Sequence, residues 1–355
     1  GLGQVFADIR SAIGSGAGVA VTSAVVGTGD NYAYGAMYRS GSWYGDVLAY
    51  EISVTGGART QVQDWSAKAK LDSRNLSTDD RTIYFMDATK TLQPFSWSSM
   101  SSAQQDNFRG AAAEAKLAQT GQMSAAQKTA AMGENLVNFL RGDRSAEGFL
   151  KNDVTKLYRT RDSRLGDIIG SQPLYISKPR RLYKDEGYTS YRLAQKDRKP
   201  MVYVGGNDGM LHGFSAADGS EKIAYVPQGV IPSLTRLTNP TYNQKHRFFV
   251  DGSPMTGDVD MGAGVQDPDA PNYDPTYSPT WRTLLVGTLG AGGKGYFVLD
   301  VTDPNAFLEA NASTLVKLDR TRSTEAGTTP NCALTTMSTD EKAACNRATT
   351  EDRDI

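Results

Sequence analysis

Short apolar strands that alternate with glycine and aspartate turns limit the possible folds of this chain more than any other feature of its sequence. Residues 200–206 predict a strand, residues 207–209 (Asn-Asp-Gly) a turn, and residues 210–215 the returning strand. A second turn at residues 218–219 (Asp-Gly) precedes a third strand at 222–226. Because Asp-Gly turns between short strands are typical of antiparallel hairpins, this segment predicts three neighbouring antiparallel strands.

A second unit repeats this order of elements. Residues 281–287 predict a strand ending in Val-Gly, residues 290–295 a glycine turn, and residues 296–301 an aromatic-bearing returning strand. An internal echo of this kind is typical of repeat folds. The two units predict a mainly β fold, namely a partial β-propeller of antiparallel four-stranded blades.

Composition divides the chain into three parts. Residues 1–100 contain strand candidates at 44–53 and 81–85, and we expect a mixed β segment leading into the propeller. Residues 101–142 are rich in Ala, Gln, Lys and Glu with helical spacing of apolar residues, which predicts a small helical insertion ending at Gly142. Residues 143–355 are predicted to form the blades. Because neither end resembles a natural terminus, we expect a fragment with an incomplete set of blades.

Charge and hydropathy exclude two classes of partner. Lys and Arg number 38 and Asp and Glu 39, which gives a formal net charge of −1. Proteins that neutralise many phosphates carry a basic excess, so nucleic acid is not an expected partner. No apolar stretch approaches the roughly 18 residues of a membrane-spanning helix, so we expect no transmembrane segment.

The cysteines indicate a compartment. Cys332 and Cys345 are the only two, and they lie in one polar stretch. Their spacing matches no zinc pattern, since His212 and His246 are the only histidines that could complete a site. We predict a disulfide between the two cysteines and an oxidising compartment, with two unrelated thiols as the alternative.

An Arg-Gly-Asp tripeptide, which integrins bind, occupies residues 141–143. Recognition requires Arg141 and Asp143 to project from an exposed, mobile tip. The tripeptide directly follows an apolar helical face, so the alternative is that Gly142 stops a helix and Asp143 forms a turn. The sequence leaves both interpretations open.

Three carboxylates form a candidate metal site around a predicted turn, namely Asp251, Asp258 and Asp260. Carboxylates and carbonyls in turns can hold calcium, and turn-forming aspartates are the alternative. His212 alternates with apolar neighbours on its strand and has no second ligand nearby in sequence, which predicts a packed or rim histidine.

No catalytic residues are predicted. Residues 290–295 match the Gly-x-Gly-x-x-Gly string of dinucleotide sites, but a strand rather than a helix is predicted to follow, which indicates a hairpin turn. No serine or cysteine is accompanied by the histidine and acid of a nucleophilic mechanism. We therefore predict that the chain is not an enzyme.

Three strings resemble a known family. Residues 203–214 (YVGGNDGMLHGF) resemble its VYVGxNDGMLHxF string, and residues 248–254 (FFVDGSP) resemble xxVDGxP. Residues 281–295 with 299–304 resemble WrtxLVGgLGaGGxG followed by LDvTdP. Over about residues 135–305 the chain is thus similar to the type IV pilus tip and assembly proteins called PilC/PilY.

The resemblance implies a role in type IV pilus biogenesis and tip-associated adhesion, exerted through propeller loops. It implies minor pilins and the pilus machinery as partners, a host-cell receptor as a further partner, and an extracellular place at the cell surface or pilus tip. The calcium loop of that family is an alternating Asp/Asn run that this sequence lacks, so no cofactor is assigned and calcium is left open.

Two other functions stay open as alternatives. Quinoprotein dehydrogenases are also propellers, but they often carry a disulfide between adjacent cysteines, which Cys332 and Cys345 cannot form. A lectin-like module is the second alternative, since the chain has 17 Tyr and 4 Trp residues that could stack on sugars. Dye-linked alcohol oxidation and glycan binding separate these alternatives from pilus assembly.

Overall fold

The structure is a computed structural model, and it describes residues 16–21, 31–55, 58–75, 81–87, 90–262, 276–315 and 317–322. Across these residues the chain forms fourteen strands in three sheets, with six short α-helices. The fold is therefore mainly β with few helices, as the sequence predicts. The predicted Cys332–Cys345 disulfide lies outside the described residues and stays a prediction.

The N-terminal sheet is a meander of four antiparallel strands in chain order. One face of this sheet buries Tyr34, Val47 and Trp65 in a hydrophobic cluster. A short helix follows, and the Oγ of Ser66 caps it by accepting the amide of Ala69. The elements are β1 (Gly16–Val21), β2 (Tyr32–Arg39), β3 (Tyr44–Thr55), β4 (Ala58–Ser66) and α1 (Ala67–Asp72).

Four short helices lie between Ser102 and Arg141, and capping residues set several of their boundaries. Ser101 and Ser124 each begin a helix with a capping box, in which a glutamine three residues later bonds back to the cap. Gly142 ends the last helix in a left-handed conformation, which confirms the predicted stop. The helices are α2 (Ser102–Gln105), α3 (Gly110–Glu114), α4 (Ala125–Ala130) and α5 (Glu134–Arg141).

The central sheet has six strands in the order β6-β5-β10-β9-β8-β7. The three strands predicted from the Asp-Gly turns are confirmed as antiparallel neighbours. The sheet is wider than the predicted four-stranded antiparallel blade, and β5 pairs with β10 in parallel. The elements are β5 (Ile83–Met86), β6 (Leu92–Pro94), β7 (Leu174–Ile176), α6 (Tyr188–Ala194), β8 (Met201–Gly206), β9 (Met210–Ser215) and β10 (Glu221–Val226).

The physical reason for this correction is the composition of β5. All four of its residues are buried and apolar or aromatic, so the strand needs covered faces and a hydrogen-bonded edge. The edge of β10 supplies the hydrogen bonds, although the two strands are far apart in the chain, and the hydrophobic core buries all four residues of β5. Strands β5 and β6 therefore form part of the central sheet.

The C-terminal sheet is a four-stranded antiparallel sheet of the predicted kind, in chain order. Residues 290–295 connect two of its strands through one 3₁₀ turn, and a strand follows them, as the hairpin interpretation predicts. The strands are β11 (Met255–Asp260), β12 (Trp281–Thr288), β13 (Tyr296–Asp300) and β14 (Lys317–Asp319). The three sheets, as far as the structure describes them, do not close into a ring of blades.

Two hydrophobic clusters lie on opposite faces of the central sheet. Met201 and Tyr203 of β8 belong to the larger cluster, which includes the helical region and the C-terminal sheet. Val202 and Val204 belong to the smaller cluster with the N-terminal sheet. This alternation explains why β8 is buried along its whole length.

No helix in the described parts of the chain is long and apolar enough to cross a membrane.

The longer connections contain single turns of 3₁₀ helix and one extended 3₁₀ segment that packs into the larger cluster. They are Trp97–Ser99, Thr120–Gln122, Gln228–Thr238, Tyr242–Gln244, Gly290–Gly292, Pro304–Ala306 and Glu309–Thr314.

Candidate functional site

The turn between β8 and β9 connects three parts of the fold. The side-chain amide of Asn207 donates to Asp167 at 2.8 Å, and its oxygen accepts the amide of Phe249 at 2.9 Å. Asp208 accepts the amide of Gly166 at 2.9 Å. The polar turn residues therefore hold the loop before β7 and the segment before β11 against the central sheet.

His212, the third residue of β9 after this turn, is fully buried between two carboxylates. Its Nδ1 lies 2.8 Å from Oε1 of Glu221, and its Nε2 lies 3.1 Å from both carboxylate oxygens of Asp208. Glu221 in turn accepts two hydrogen bonds from Arg81, at 2.7 and 2.8 Å. These four side chains, named here the His212 cluster, balance two acids with two bases.

Opposite charges inside the His212 cluster keep all four groups ionised. Burial alone favours a neutral imidazole, but the charge of Asp208 and hydrogen bonds to both carboxylates outweigh it and raise the pKa of His212 to about 9. Burial also opposes ionisation of Glu221, yet the charge of Arg81 and the hydrogen bonds hold its pKa well below the usual range. The His212 charge likewise overcomes burial and lowers the pKa of Asp208.

The His212 cluster stabilises the fold and has no feature of a reaction centre. Both ring nitrogens of His212 and both carboxylate oxygens of Glu221 already have partners within the cluster. A general acid or base needs a face that a substrate can reach. The cluster instead fixes the turn at residues 207–209 relative to β10, and the sequence prediction of a packed histidine is confirmed by its burial.

The Arg-Gly-Asp tripeptide does not display its arginine. Arg141 is 4% exposed, and its guanidinium donates to the carbonyl oxygens of Phe95 and Arg81 at 2.7 and 2.9 Å. It also forms an ion pair with Glu309 at 2.9 Å. Integrin recognition would require this guanidinium to project outward, so the geometry supports the alternative, in which Gly142 ends α5.

The three carboxylates of the candidate metal site are occupied by protein donors. No group of three or more His, Cys, Asp or Glu side chains arranged to hold a metal occurs in the described part of the chain. The carboxylates instead accept from the amide of Gly170 (Asp251), the hydroxyls of Tyr188 and Thr283 (Asp258), and the amides of Gly262 and Thr280 (Asp260). These aspartates order turns and strand ends, which is the alternative that the sequence left open.

The outer face of the C-terminal sheet is apolar and open. Cross-strand register places Met255, Val286, Val298 and Leu318 in one row across all four strands. Met255 is 63% exposed, and the other three are partly exposed. The opposite face of the same sheet carries Leu285, Phe297 and Leu299 into the core. The sequence analysis did not predict this apolar row, although the alternation along each strand carries the signal.

Comparisons with known proteins agree on one family. Residues 165–332 match the family model described as the PilY1 beta-propeller domain. A type IV pilus biogenesis factor PilY1 homolog of Xylella fastidiosa (strain Temecula1 / ATCC 700964) is 36% identical over 309 residues, which are 85% of this chain and 21% of that protein. The type IV pilus biogenesis factor PilY1 of Pseudomonas aeruginosa (strain PAK) is 37% identical over 290 residues, or 78% of this chain and 22% of that protein.

One solved structure is also similar in sequence. The crystal structure of the Pseudomonas aeruginosa PilY1 C-terminal domain is 35% identical and covers 37% of this chain and 23% of that chain, with a TM-score of 0.24. At that score the superposition adds nothing to the description of the fold. The chain spans about a fifth of the length of the curated relatives it matches, 21% and 22% for the two given above.

Proposed function

The chain is a PilY1-type protein, and from this premise we propose that it acts in type IV pilus biogenesis and in tip-associated adhesion. The proposal is supported by relatives that are named type IV pilus biogenesis factors and match most of the chain. Contacts with other proteins, rather than a catalysed reaction, carry this function, because the buried charges described above are saturated by their own partners. The place of action is extracellular, at the cell surface or pilus tip.

The observation that carries the proposal is the apolar row on the outer face of the C-terminal sheet. An open sheet face with Met255, Val286, Val298 and Leu318 aligned across it needs a second sheet, because stacked sheets bury such rows against each other at a spacing of about 10 Å. We propose that β11–β14 is one four-stranded blade of a β-propeller. A further sheet of a longer protein covers its outer face.

Loops at the rims of the blades and the helical region at residues 101–142 then meet partners. Minor pilins and other parts of the pilus machinery are the proposed partners, and a host-cell receptor is a further one. The three-part division of the chain at about residues 100 and 142 belongs to this proposal, as does the Cys332–Cys345 disulfide. Oxidation of that pair suits an exported protein.

The blade proposal is tested by placing a charge on the row. Val286→Arg in the 355-residue chain changes the free energy of unfolding by less than about 1 kcal/mol, since the side chain is partly exposed there. The same change in a longer PilY1-type protein costs several kcal/mol, because it buries an unpaired charge between two sheets. Val62→Arg is the matched control, since Val62 is 63% exposed on the N-terminal sheet. Equal effects of Val286→Arg in both proteins contradict the blade proposal.

The pilus proposal is tested in the piliated bacterium that encodes the chain. Deleting the gene is expected to reduce surface pili and surface motility, and the wild-type gene restores both. A gene carrying Val286→Arg fails to restore them, whereas Val62→Arg restores them fully. Normal piliation in the deletion strain, with no relative present to replace the protein, contradicts the proposal. Co-purification of minor pilins with the wild-type protein identifies the partners.

A further inference from the structure

A groove lies between the edge strands of two sheets. β7 is an edge of the central sheet and β11 is an edge of the C-terminal sheet. The groove between them has a volume of about 420 Å³, and its walls are residues 175–181 on one side and residues 256–258 on the other. Arg198 and Thr283 also line it. No feature assigned above to pilus assembly uses this groove.

The β11 wall presents backbone groups that its own sheet does not use. The amide of Met261 donates to the carbonyl of Thr280 at 2.9 Å, which identifies the hydrogen-bonded pairs of the β11–β12 ladder. Such pairs alternate along an antiparallel ladder, so Thr256 and Asp258 direct their amides and carbonyls away from β12. These backbone groups have no backbone partner among the residues that the structure describes. They form an unpaired strand edge facing the groove.

Side-chain hydrogen bonds hold both walls in place. Arg198 donates from Nε to the carbonyl of Ser177 at 2.8 Å and from Nη1 to the hydroxyl of Thr283 at 2.6 Å. Thr283 donates to Asp258 at 2.6 Å, and Tyr188 donates to the same carboxylate at 2.6 Å. A ligand therefore meets a groove that is already formed, which lowers the entropy cost of binding.

The β7 wall is strongly basic. Lys178, Arg180 and Arg181 follow one another along it and are exposed. Lys178 and Arg181 form no ion pair or hydrogen bond within the described chain. The single acid in the lining, Asp258, is engaged by the hydroxyls of Tyr188 and Thr283. The whole chain has a net charge of −1, so this positive charge is a local feature of the groove, and it attracts acidic partners.

We propose that this groove binds an extended acidic segment of a partner protein, which adds a strand to β11 and places carboxylates against Lys178 and Arg181. A peptide, rather than another polyanion, is favoured because the outward amides and carbonyls of Thr256 and Asp258 match the backbone of an added strand. Alternate side chains of an extended segment point to one side, so acidic residues at every second position face the basic wall. The inference does not depend on the pilus proposal.

The first test uses fluorescence polarisation to measure the affinity of the chain for a fluorescein-labelled peptide of alternating valine and glutamate residues. The chain is expected to bind this peptide and to ignore the same peptide with lysine in place of glutamate. The double variant Lys178→Glu with Arg181→Glu weakens binding about tenfold or more. Lys151→Glu with Lys222→Glu is the matched control, because both lysines are exposed and lie outside the groove, and it changes affinity less than about twofold. Thermal unfolding confirms that both double variants fold.

The second test distinguishes strand addition from charge attraction alone. Amide hydrogen exchange should show that the bound peptide protects the amides of Thr256 and Asp258, and methylating every second peptide nitrogen should abolish that protection. Absence of binding overturns the proposal. It would indicate that the basic side chains of the groove instead keep the unpaired edge of β11 from pairing with other strands. Binding without protection of these amides, or equal binding of dextran sulfate, also overturns it and indicates a surface for polyanions.

Discussion

The Nδ1 of His212 lies 2.8 Å from Oε1 of Glu221, and both side chains are buried on neighbouring strands of the central sheet. Asp208 and Arg81 complete a cluster in which charges of both signs are balanced. A balanced buried cluster contributes to stability only while every member keeps its charge. The stability of this fold should therefore depend on pH and on single substitutions in ways that exposed ion pairs do not.

The first prediction concerns alkaline pH. The pKa of His212 is about 9 in the folded chain and about 6.5 in an unfolded one, so the folded chain binds this proton more tightly. The contribution of this proton to the free energy of unfolding is complete below a pH of about 6.5 and is lost as the pH rises through about 9. Between these values the free energy of unfolding falls by up to about 1.4 kcal/mol per pH unit. Urea unfolding of the wild type and of His212→Gln should show this slope in the wild type alone. Parallel pH profiles contradict the prediction.

The second prediction concerns the partner acid. Glu221→Gln leaves the buried charges of Arg81 and His212 without their shared carboxylate, so we expect a loss of about 3–5 kcal/mol in the free energy of unfolding. Glu114→Gln is the control, because it breaks a half-exposed ion pair with Lys128 and should cost less than about 1 kcal/mol. Denaturant unfolding at neutral pH measures both. A Glu221→Gln variant as stable as Glu114→Gln would show that the cluster does not stabilise the fold.

The third prediction separates stability from adhesion at the Arg-Gly-Asp tripeptide. Arg141→Ala removes the donors to two carbonyls and the ion pair with Glu309, so it should cost about 3 kcal/mol or more. Asp143→Glu should cost less than about 1 kcal/mol, because Asp143 is partly exposed and orders only the turn at Ser145. Neither substitution should alter retention of the folded chain on immobilised integrin. Retention that Asp143→Glu abolishes would restore the adhesion interpretation.

The fourth prediction tests a tight turn against an open strand. Gly219 has a φ of +72°, and a Cβ there would lie 2.5 Å from the Trp65 ring. Gly219→Ala should therefore cost about 1–3 kcal/mol through strain and overpacking. Gly257→Ala is the control, since nothing lies within 4 Å of its Cβ position, and it should stay within about 0.5 kcal/mol of wild type. Thermal unfolding of both variants measures the difference, and equal melting temperatures would contradict it.

Sequence reasoning found the strands whose signals are local. The Asp-Gly turns predicted β8, β9 and β10 as antiparallel neighbours, and Gly142 predicted the end of α5. It did not find the parallel pairing of β5 with β10, because no local pattern states which open edge a distant buried strand will join. For the same reason it expected a sheet of four strands where the central sheet has six.

The candidate sites were harder to predict than the strands. Arg-Gly-Asp and the three aspartates were recognised as strings, but the function of a string depends on whether its side chains are exposed. Asp208 and His212, four residues apart across a turn, were a usable local signal of the buried cluster. Arg81 and Glu221 gave none, since they meet only when β5 pairs with β10.

The sequence alone determined the mainly β character of this protein, its antiparallel hairpins and its resemblance to pilus assembly proteins. Those properties depend on the alternation of apolar residues and on turn conformations, which neighbours in the chain set. Only the tertiary structure decided that Arg141 is buried, that His212 carries a charge and that no strand among the described residues pairs with the outer edge of β11. Burial, pKa and edge pairing depend on groups brought together from distant parts of the chain, and the energies of such contacts change steeply with distance and solvent access.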